Sequence, residues 1–351
     1  MAQQPARLDS RSTMHITLPE DAPVSVVSAD WGESQATPKG GAMLLDLPTS
    51  LVLKNTSQRK IRGITLLVMA QEVTPGGKAS VSVPSLNIAE GQTFPVRIDL
   101  TLLRPLQTGA GALVEIGLEG VLFDDLSFYG PNKLNSRRSM MVWELEARRD
   151  RQHFKQVLQG RGPEALRTEI VASLERQADR SQKDARVTAG AATATTSGQQ
   201  VQFAFLPAAN APITTERGYA RVIHDEALTP RIFMTNRSDR AVESVELGWL
   251  VKDSAGREFV SGSMPLEVNI GPRGKTSVVQ DVALRFTQRG GRPIRISEIT
   301  AFLTSVEFAD GQMWVPDRSM QMPTPSPEEQ RLTELYRRRG IDALVEELKK
   351  F

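Results

Sequence analysis

Apolar and polar residues alternate with a period of two along much of the chain. Ile64, Leu66 and Val68 share one face of such a stretch, as do Val245 and Leu247 further along. This period is typical of β-strands, in which successive side chains point to opposite faces. More short runs of this kind lie between clusters of Pro, Gly, Asn and Asp, at residues 79–83, 94–103, 113–123, 201–206, 276–286 and 294–308. Many short strands without alternating helices predict antiparallel β-sandwiches rather than a parallel sheet.

Two stretches change to a helical period. Residues 142–180 carry apolar side chains at helical spacing and are interrupted around Gly162, after which Pro163 suits the first turn of a second helix. At the end of the chain, Pro327 opens a helix that is interrupted at Gly340 and then resumes. The sequence therefore predicts two short helical pairs.

The chain also contains an internal repeat. Residues 51–68 align without gaps on residues 232–249, which places Asn55 on Asn236. Two further matches follow in the same order: residues 121–133 align on 306–318, and residues 162–170 align on 340–348. Because the offsets of the three matches differ by only a few residues, they indicate a duplication with small loop insertions.

These patterns predict a chain that is mainly β with helical segments. It would contain two duplicated antiparallel β-sandwich units, each followed by a short helical pair. The expected boundaries are 1–142 and 201–323 for the sandwiches, with 143–180 and 324–351 for the helical pairs. Residues 181–200 are expected to form a flexible linker, because 187–200 contain no charge and are almost all Ala, Thr, Ser, Gly and Gln.

Composition narrows the chemistry that this chain can perform. Its 351 residues include 43 Lys and Arg against 41 Asp and Glu, no Cys and 3 His. The absence of Cys excludes disulfides, Cys-ligated metals and a thiol nucleophile. A net charge of +2 does not indicate a nucleic-acid partner, and no apolar run approaches the ~20 residues of a membrane helix. We expect no cofactor, no metal and no catalytic residue, and the oligomeric state stays open.

The strand–Asn-x-Ser–strand and Phe-x-Asp-x-x-x-aromatic-x-Pro patterns carry a family resemblance. Over residues 50–142 and 201–322 the chain resembles tandem immunoglobulin-like or fibronectin-III-like β-sandwich proteins of an uncharacterised exported bacterial family. The Cys…Trp…Cys core of antibody domains is absent. The resemblance implies a sandwich fold and, being one of fold alone, no activity.

Two aromatic residues occupy equivalent places in the repeat, Tyr129 and Trp314. If the turn around Asp310 closes a two- or four-residue loop, Trp314 faces away from Phe308; a three-residue loop with a bulge puts both on one face. An outward aromatic could form a sugar-binding platform, or it could pack in the core or under a helix. Tyr129 and Trp314 are therefore candidate ligand or interface residues.

The sequence also contains charged and titratable candidates. Arg137 and Arg138 belong to an arginine-rich set that could contact an anionic partner, although acids interleave with the bases of the helical segments and favour a solvated face. His224 is followed by Asp225 and Glu226, which could supply a metal ligand or a general base. Since neighbouring residues on a strand point to opposite faces and cannot converge on one ion without a bend, a solvated loop or strand end is the favoured interpretation.

The predicted function is that of a non-enzymatic binding or scaffolding protein, with a protein as its expected partner. One alternative is a carbohydrate-binding or hydrolase-accessory module that uses Tyr129 and Trp314. A second is an enzyme with an unrecognised site near His224. The start of the chain lacks the basic and apolar regions of a signal peptide but resembles the residues after a cleavage site. We therefore expect a periplasmic or extracellular protein, with a cytoplasmic one as the alternative.

Overall fold

The computed structural model describes residues 6–7, 14–32, 35–70, 78–105, 114–181, 183–191, 198–318 and 324–351. The protein is mainly β, with a repeat-like order of strands. Its internal contacts divide it into unit 1, residues 1–144, and unit 2, residues 145–351. None of the described helices is both long enough and apolar enough to span a membrane.

Unit 1 consists of two sheets. Its described strands are β1 Ala6–Arg7, β2 Met14–Thr17, β3 Val24–Asp30, β4 Gln35–Lys39, β5 Ala42–Asn55, β6 Ile61–Ala70, β7 Lys78–Val83, β8 Thr93–Pro105, β9 Val114–Phe123 and β10 Phe128–Tyr129. In one sheet β8 lies along one edge of β5, and β3 and β4 follow each other along the other edge, with β1 beside β4. In the second sheet the order is β7, β6, β9, and then β2 and β10.

The two sheets of unit 1 share one apolar core. Most of it is built from inward positions of β5, β6, β8 and β9: Leu45, Leu51, Leu53, Ile61, Ile64, Leu66, Val68, Phe94, Val96, Ile98, Val114, Ile116, Val121 and Phe123. Removing these side chains from water stabilises the unit.

Unit 2 contains a closed barrel of eight strands. The strands described after residue 181 are β11 Asp184–Ala191, β12 Gln199–Phe205, β13 Ile213–Ile223, β14 Glu226–Asn236, β15 Val242–Asp253, β16 Glu258–Ile270, β17 Lys275–Val279, β18 Val282–Gln288, β19 Ile296–Phe308 and β20 Met313–Trp314. The pairings run β12, β13, β14, β18, β11, β16, β15, β19 and back to β12, so that the ring closes. β17 pairs with β14, and β20 pairs with β19.

Large apolar side chains fill the interior of the barrel. The Trp249 ring packs edge-on against Phe203 and Phe286, with centroid separations of 5.6 and 6.5 Å. Leu247 and Val251, two residues away on either side of Trp249, are also fully buried. The alternation that the sequence shows along β15 is therefore the alternation between barrel interior and exterior.

Two broken helices complete the described elements. α1 covers Ser136–Ser181 and α2 covers Pro327–Lys349. Each is interrupted at a glycine with positive φ, Gly162 at 81° and Gly340 at 77°, which divides each helix into a pair. Within unit 2 the two pairs share one core: Phe154, Val157, Leu166 and Ile170 of α1 and Leu332, Leu344 and Leu348 of α2.

The predicted fold class of two Ig-like sandwiches, each followed by a helical pair, is wrong. Unit 2 is a closed eight-stranded barrel, and the two helical pairs pack against each other in unit 2. The period-two pattern cannot separate a sandwich from a barrel, because both alternate inward and outward residues along every strand.

The flexible linker expected at 181–200 is also wrong for Asp184–Ala191. These residues form β11, which pairs with β18 over seven positions and begins alongside β16. Residues 192–197 of the expected linker lie outside the described residues. The small uncharged side chains that indicate a linker are here those of a strand that closes a barrel.

The two Asn turns of the repeat have the same geometry in both units. Asn236 Nδ2 donates to the carbonyl of Arg240 at 2.7 Å, and its Oδ1 accepts from the Ser238 N–H at 2.9 Å. The corresponding distances around Asn55 are 2.8 and 3.0 Å. Each buried Asn thus binds its own turn, as the repeat predicts for this residue type.

Candidate functional site

A cleft at one end of the barrel is the strongest candidate for a ligand site in the described part of the chain. Its volume is about 530 Å³. The residues that line it come from the end of α1, the start of β11, the facing part of β16 and the hairpin after β18: Arg180, Asp184, Ala185, Arg186, Val260, Gly262, Thr287, Gln288, Arg289, Gly290 and Gly291.

The backbone of β11 and the hairpin after β18 shape this cleft. β11 enters the barrel here, since the carbonyl of Lys183 accepts from the Val260 N–H at 2.8 Å. In the hairpin, the Gly291 N–H donates to the carbonyl of Gln288 at 2.9 Å. Gly290 and Gly291 have φ values of 105° and 85°, a backbone conformation that favours glycine. The turn thus leaves exposed backbone, without side chains, at the rim of the cleft.

The cleft carries an excess of positive charge. Three arginines and one aspartate line it, and Arg180 Nε lies 3.3 Å from Asp184 Oδ1. Burial lowers the pKa of Arg180, against the opposing effect of that carboxylate. Arg186 and Arg289 form no ion pair or side-chain hydrogen bond with any residue that the structure describes. Unpartnered guanidinium groups in a cleft attract anionic oxygens, which they bind through charged hydrogen bonds.

Sequence reasoning did not single out Arg180, Arg186 or Arg289. They are spread over more than 100 positions and meet only because β11 lies between β16 and β18. One local signal was present: a Gly pair flanked by Arg289 and Arg292, which indicates a tight turn with basic residues around it.

A second cluster of charges lies between the helices of unit 2 and is buried. Asp150 accepts hydrogen bonds from Arg149 Nε at 2.9 Å, from Arg318 Nη1 at 3.0 Å and from the Ser326 hydroxyl. Burial alone would raise the pKa of Asp150, but the bonds from Arg149 and Ser326 and the charge of Arg318 hold that pKa below its ordinary value. Ser326 also caps α2, since its Oγ accepts from the Glu329 N–H at 3.0 Å.

This helical cluster is a structural network, because its charges are paired with one another. Glu329 accepts from Arg318 at 3.1 Å and from the Ser173 hydroxyl. His153 lies 3.4 Å from Glu169, and burial together with the charge of Arg318 lowers the pKa of His153. The network joins α1, α2 and the segment before α2 through charged hydrogen bonds.

Tyr129 and Trp314 both lie against the core of their own unit. The Phe123 N–H donates to the Ser127 carbonyl, and the Phe308 N–H donates to the Gln312 carbonyl, which closes a three-residue loop in each unit. Trp314 pairs with Val306, so it shares a face with Phe308. Each ring is half-buried, and the Tyr129 hydroxyl donates to Asp21 at 2.7 Å. Core packing accounts for both rings without a ligand.

The remaining predicted residues lie apart from the cleft. Arg138 is buried and Arg137 is half-buried, near the start of α1 in unit 1. His224 is exposed, with φ at 53°, in the turn between β13 and β14. Its carbonyl accepts from the Ile296 N–H at 2.8 Å. Among the described residues no group of three or more His, Asp or Glu could hold a metal ion.

Comparisons with known proteins do not identify a family. No family model matches the chain. No curated protein matches it either. Among solved structures, the chain aligns with a red sea bream transglutaminase at 11% identity and a TM-score of 0.13, over 82% of this chain and 29% of that one.

Two other solved structures align equally distantly. One is described as pT26-6p, with 9% identity, a TM-score of 0.19 and coverage of 93% of this chain and 72% of that one. The other is an allantoicase, with 8% identity, a TM-score of 0.08 and coverage of 79% and 83%. The chain spans less than a third of the length of the transglutaminase, and at these TM-scores the similarities carry no argument about fold or function.

Proposed function

We propose that this chain is a non-enzymatic binding protein, and that the cleft at the start of β11 holds a small anionic molecule. The observation that supports this is the pair of guanidinium groups of Arg186 and Arg289, which line one cleft and have no partner among the described residues. An arginine in such a position is available to bind a ligand, whereas the arginines of the helical network are committed to carboxylates.

The size and charge of the cleft favour a ligand with carboxylate, phosphate or sulfate oxygens. Small-molecule sites commonly have volumes of about 300–1,000 Å³, and the volume of about 530 Å³ falls within that range. Asp184 would repel an anion, but it is engaged by Arg180. The cleft therefore keeps an excess of positive charge. Its guanidinium groups can donate two parallel hydrogen bonds to the oxygens of one carboxylate, phosphate or sulfate.

Binding is favoured over catalysis by what lines the cleft. General acid–base catalysis needs a titratable group placed beside the reacting atoms. No His lines this cleft, and its carboxylate is paired with an arginine. The expected location outside the cytoplasm, the scaffolding role and the carbohydrate alternative stay predictions.

The test is isothermal titration of the full chain with citrate and with inorganic phosphate at constant ionic strength. We expect binding at one site, with affinity lost in a variant that carries Arg186→Gln and Arg289→Gln. The matched control carries Arg161→Gln and Arg339→Gln, which remove the same charge from exposed helical positions. If the two double variants bind each anion equally well, the cleft is not the site and the proposal fails.

A further inference from the structure

The described strands of the two units follow a similar order of pairings, which closes into a ring in unit 2 and does not close among the described residues of unit 1. In unit 1 β2 pairs in parallel with β9, β9 pairs with β6, and β6 pairs with β7. In unit 2 the same sequence of pairings joins β12, β19, β15 and β16. On the other side, β3, β5 and β8 of unit 1 correspond to β13, β14 and the strands β17 and β18.

Among the described residues of unit 1, no strand takes the place that β11 takes in the closed ring of unit 2. In unit 2 β11 lies between β16 and β18 and pairs with both. The corresponding strands of unit 1 are β7 and β8. β7 pairs only with β6 and β8 pairs only with β5 in the described part of the chain, so each has one edge without a described partner strand.

Two prolines show which residues of β8 present backbone groups at that unpaired edge. Proline has no N–H, so within a sheet its nitrogen faces away from the neighbouring ladder. Pro95 pairs with Val52, and Pro48 pairs with Asp99. Because backbone groups alternate along a strand, Asp99 and Thr101 direct their N–H and C=O groups to the same side as Pro95, away from β5.

No described strand pairs with this part of β8 on the side away from β5. Thr101 is exposed, and no proline interrupts residues 96–104. Edge strands that offer free N–H and C=O groups are templates for another strand. In unit 2, β11 shows which side-chain pattern suits a strand in the equivalent place. Its small apolar side chains Ala185 and Val187 lie against the core, and Arg186 and Thr188 are exposed.

We propose that the outer edge of β8 in unit 1 binds an extended segment of a partner protein by strand addition, antiparallel to β8. The segment takes the place that β11 occupies in unit 2. Main-chain hydrogen bonds supply affinity, and alternate small apolar side chains that face the core of unit 1 supply specificity. This inference does not depend on the anion-binding cleft, which lies in unit 2.

The probe is a fluorescent peptide with the sequence of residues 183–191, KDARVTAGA, titrated into the full chain and followed by anisotropy. We expect saturable binding. The variant Thr101→Pro removes an outward N–H without breaking the ladder with β5, and it should weaken binding roughly tenfold or more. The matched control is Thr93→Pro, an outward position of the same strand at its other end. Equal binding by both variants would show that the peptide binds elsewhere, for example by replacing β11.

A cross-link tests the register without relying on proline, which can also disturb folding. Thr229 has a positive φ and adds one residue to β14 compared with β5 of unit 1. With this shift, the pair Glu226–Arg285 of unit 2 is equivalent to the pair Asp46–Thr101 of unit 1. Thr188 pairs with Arg285, and its equivalent in the peptide should therefore lie opposite Thr101.

The chain has no cysteine, so each engineered thiol is unique. A peptide with Thr188→Cys should form a disulfide with the Thr101→Cys chain in high yield and with the Thr93→Cys chain only at background yield. Equal yields at the two positions overturn the proposal. Rapid formation of a disulfide-linked dimer of the Thr101→Cys chain without peptide would contradict a separate partner and identify a second copy of this chain as the occupant.

Discussion

The pKa values of two neighbouring carboxylates in unit 2 are shifted in opposite directions although burial raises both, and the difference lies in their hydrogen bonds. Asp150 has two guanidinium groups and a hydroxyl as donors, so its charged form is stabilised and its pKa is lowered. Glu146, one turn earlier in α1, has no hydrogen-bond donor among the described residues. Burial raises the pKa of Glu146 to about 7, although the charge of Arg149 opposes this effect.

The raised pKa of Glu146 predicts a pH dependence of stability. Below its ordinary value of 4.5 the group is protonated in both the folded and the unfolded state. As the pH rises through 4.5 toward 7, the unfolded state loses the proton first, so the free energy of unfolding falls. Glu146→Gln, which stays neutral, should be more stable than the wild type above pH 7 by up to about 3 kcal/mol, less any solvent screening of this partly exposed side chain.

Urea unfolding at pH 4.5 and pH 8 measures this difference. The control is Glu164→Gln, which changes the same chemical group at an exposed position. An advantage of Glu146→Gln that is the same at both pH values would rule out the titration of Glu146 as its cause.

Among the elements, the strands and the helix breaks could be predicted from the sequence, but the closure of the barrel in unit 2 could not. Ile64 and Val245 lie on inward faces as the alternation predicts, and Gly162 and Gly340 interrupt their helices as the repeat predicts. β11 was missed because its Ala, Thr and Gly side chains carry little apolar signal. Its stability comes from pairing with β16 and β18, which are distant in sequence.

The candidate cleft was missed for the same reason. Arg186 enters it only because β11 is a strand, and Arg289 only because the hairpin after β18 lies beside β11. A local pattern reports on neighbours in sequence, whereas this site is made by neighbours in space. The aromatic pair Tyr129 and Trp314 shows the converse: the repeat finds equivalent positions, but packing decides that the rings lie against the core.

The terminal helix α2 is an integral part of unit 2. Leu344 is fully buried and belongs to the core that α2 shares with α1. Leu344→Asp places an unpaired charge in that core and should lower the free energy of unfolding by roughly 3–5 kcal/mol. The control Val171→Asp introduces the same charge on α1 at a side chain that is 37% exposed, and it should cost much less. Thermal unfolding followed by circular dichroism measures both, and equal effects would contradict the shared helical core.

At the scale of the whole molecule, the described strands of the two units follow a repeat-like order, which closes into a barrel in unit 2 and does not close among the described residues of unit 1. A sheet edge leaves backbone groups without partners, and full closure removes edges altogether. In unit 2 β11 provides partners for β16 and β18. In unit 1 no described strand pairs with the outer edges of β7 and β8, so the described strands of the two units differ in how many of their backbone groups are bonded.

This difference predicts unequal amide hydrogen exchange between the two copies. N–H groups at an unpaired edge exchange with solvent without any opening of the fold. In a strand that is paired along both edges, every N–H is hydrogen-bonded and exchanges only after local unfolding. Peptides that cover 93–105 should therefore contain a fast-exchanging set of about half their amides, which peptides that cover 282–288 lack. Mass spectrometry of the full chain measures both in one sample, so that pH and temperature are matched.

Addition of the 183–191 peptide should slow exchange at 99–103 and leave 282–288 unchanged. Equal protection of β8 and β18 in the free chain would mean that the edge of β8 is already covered, and strand addition would then have no place to occur.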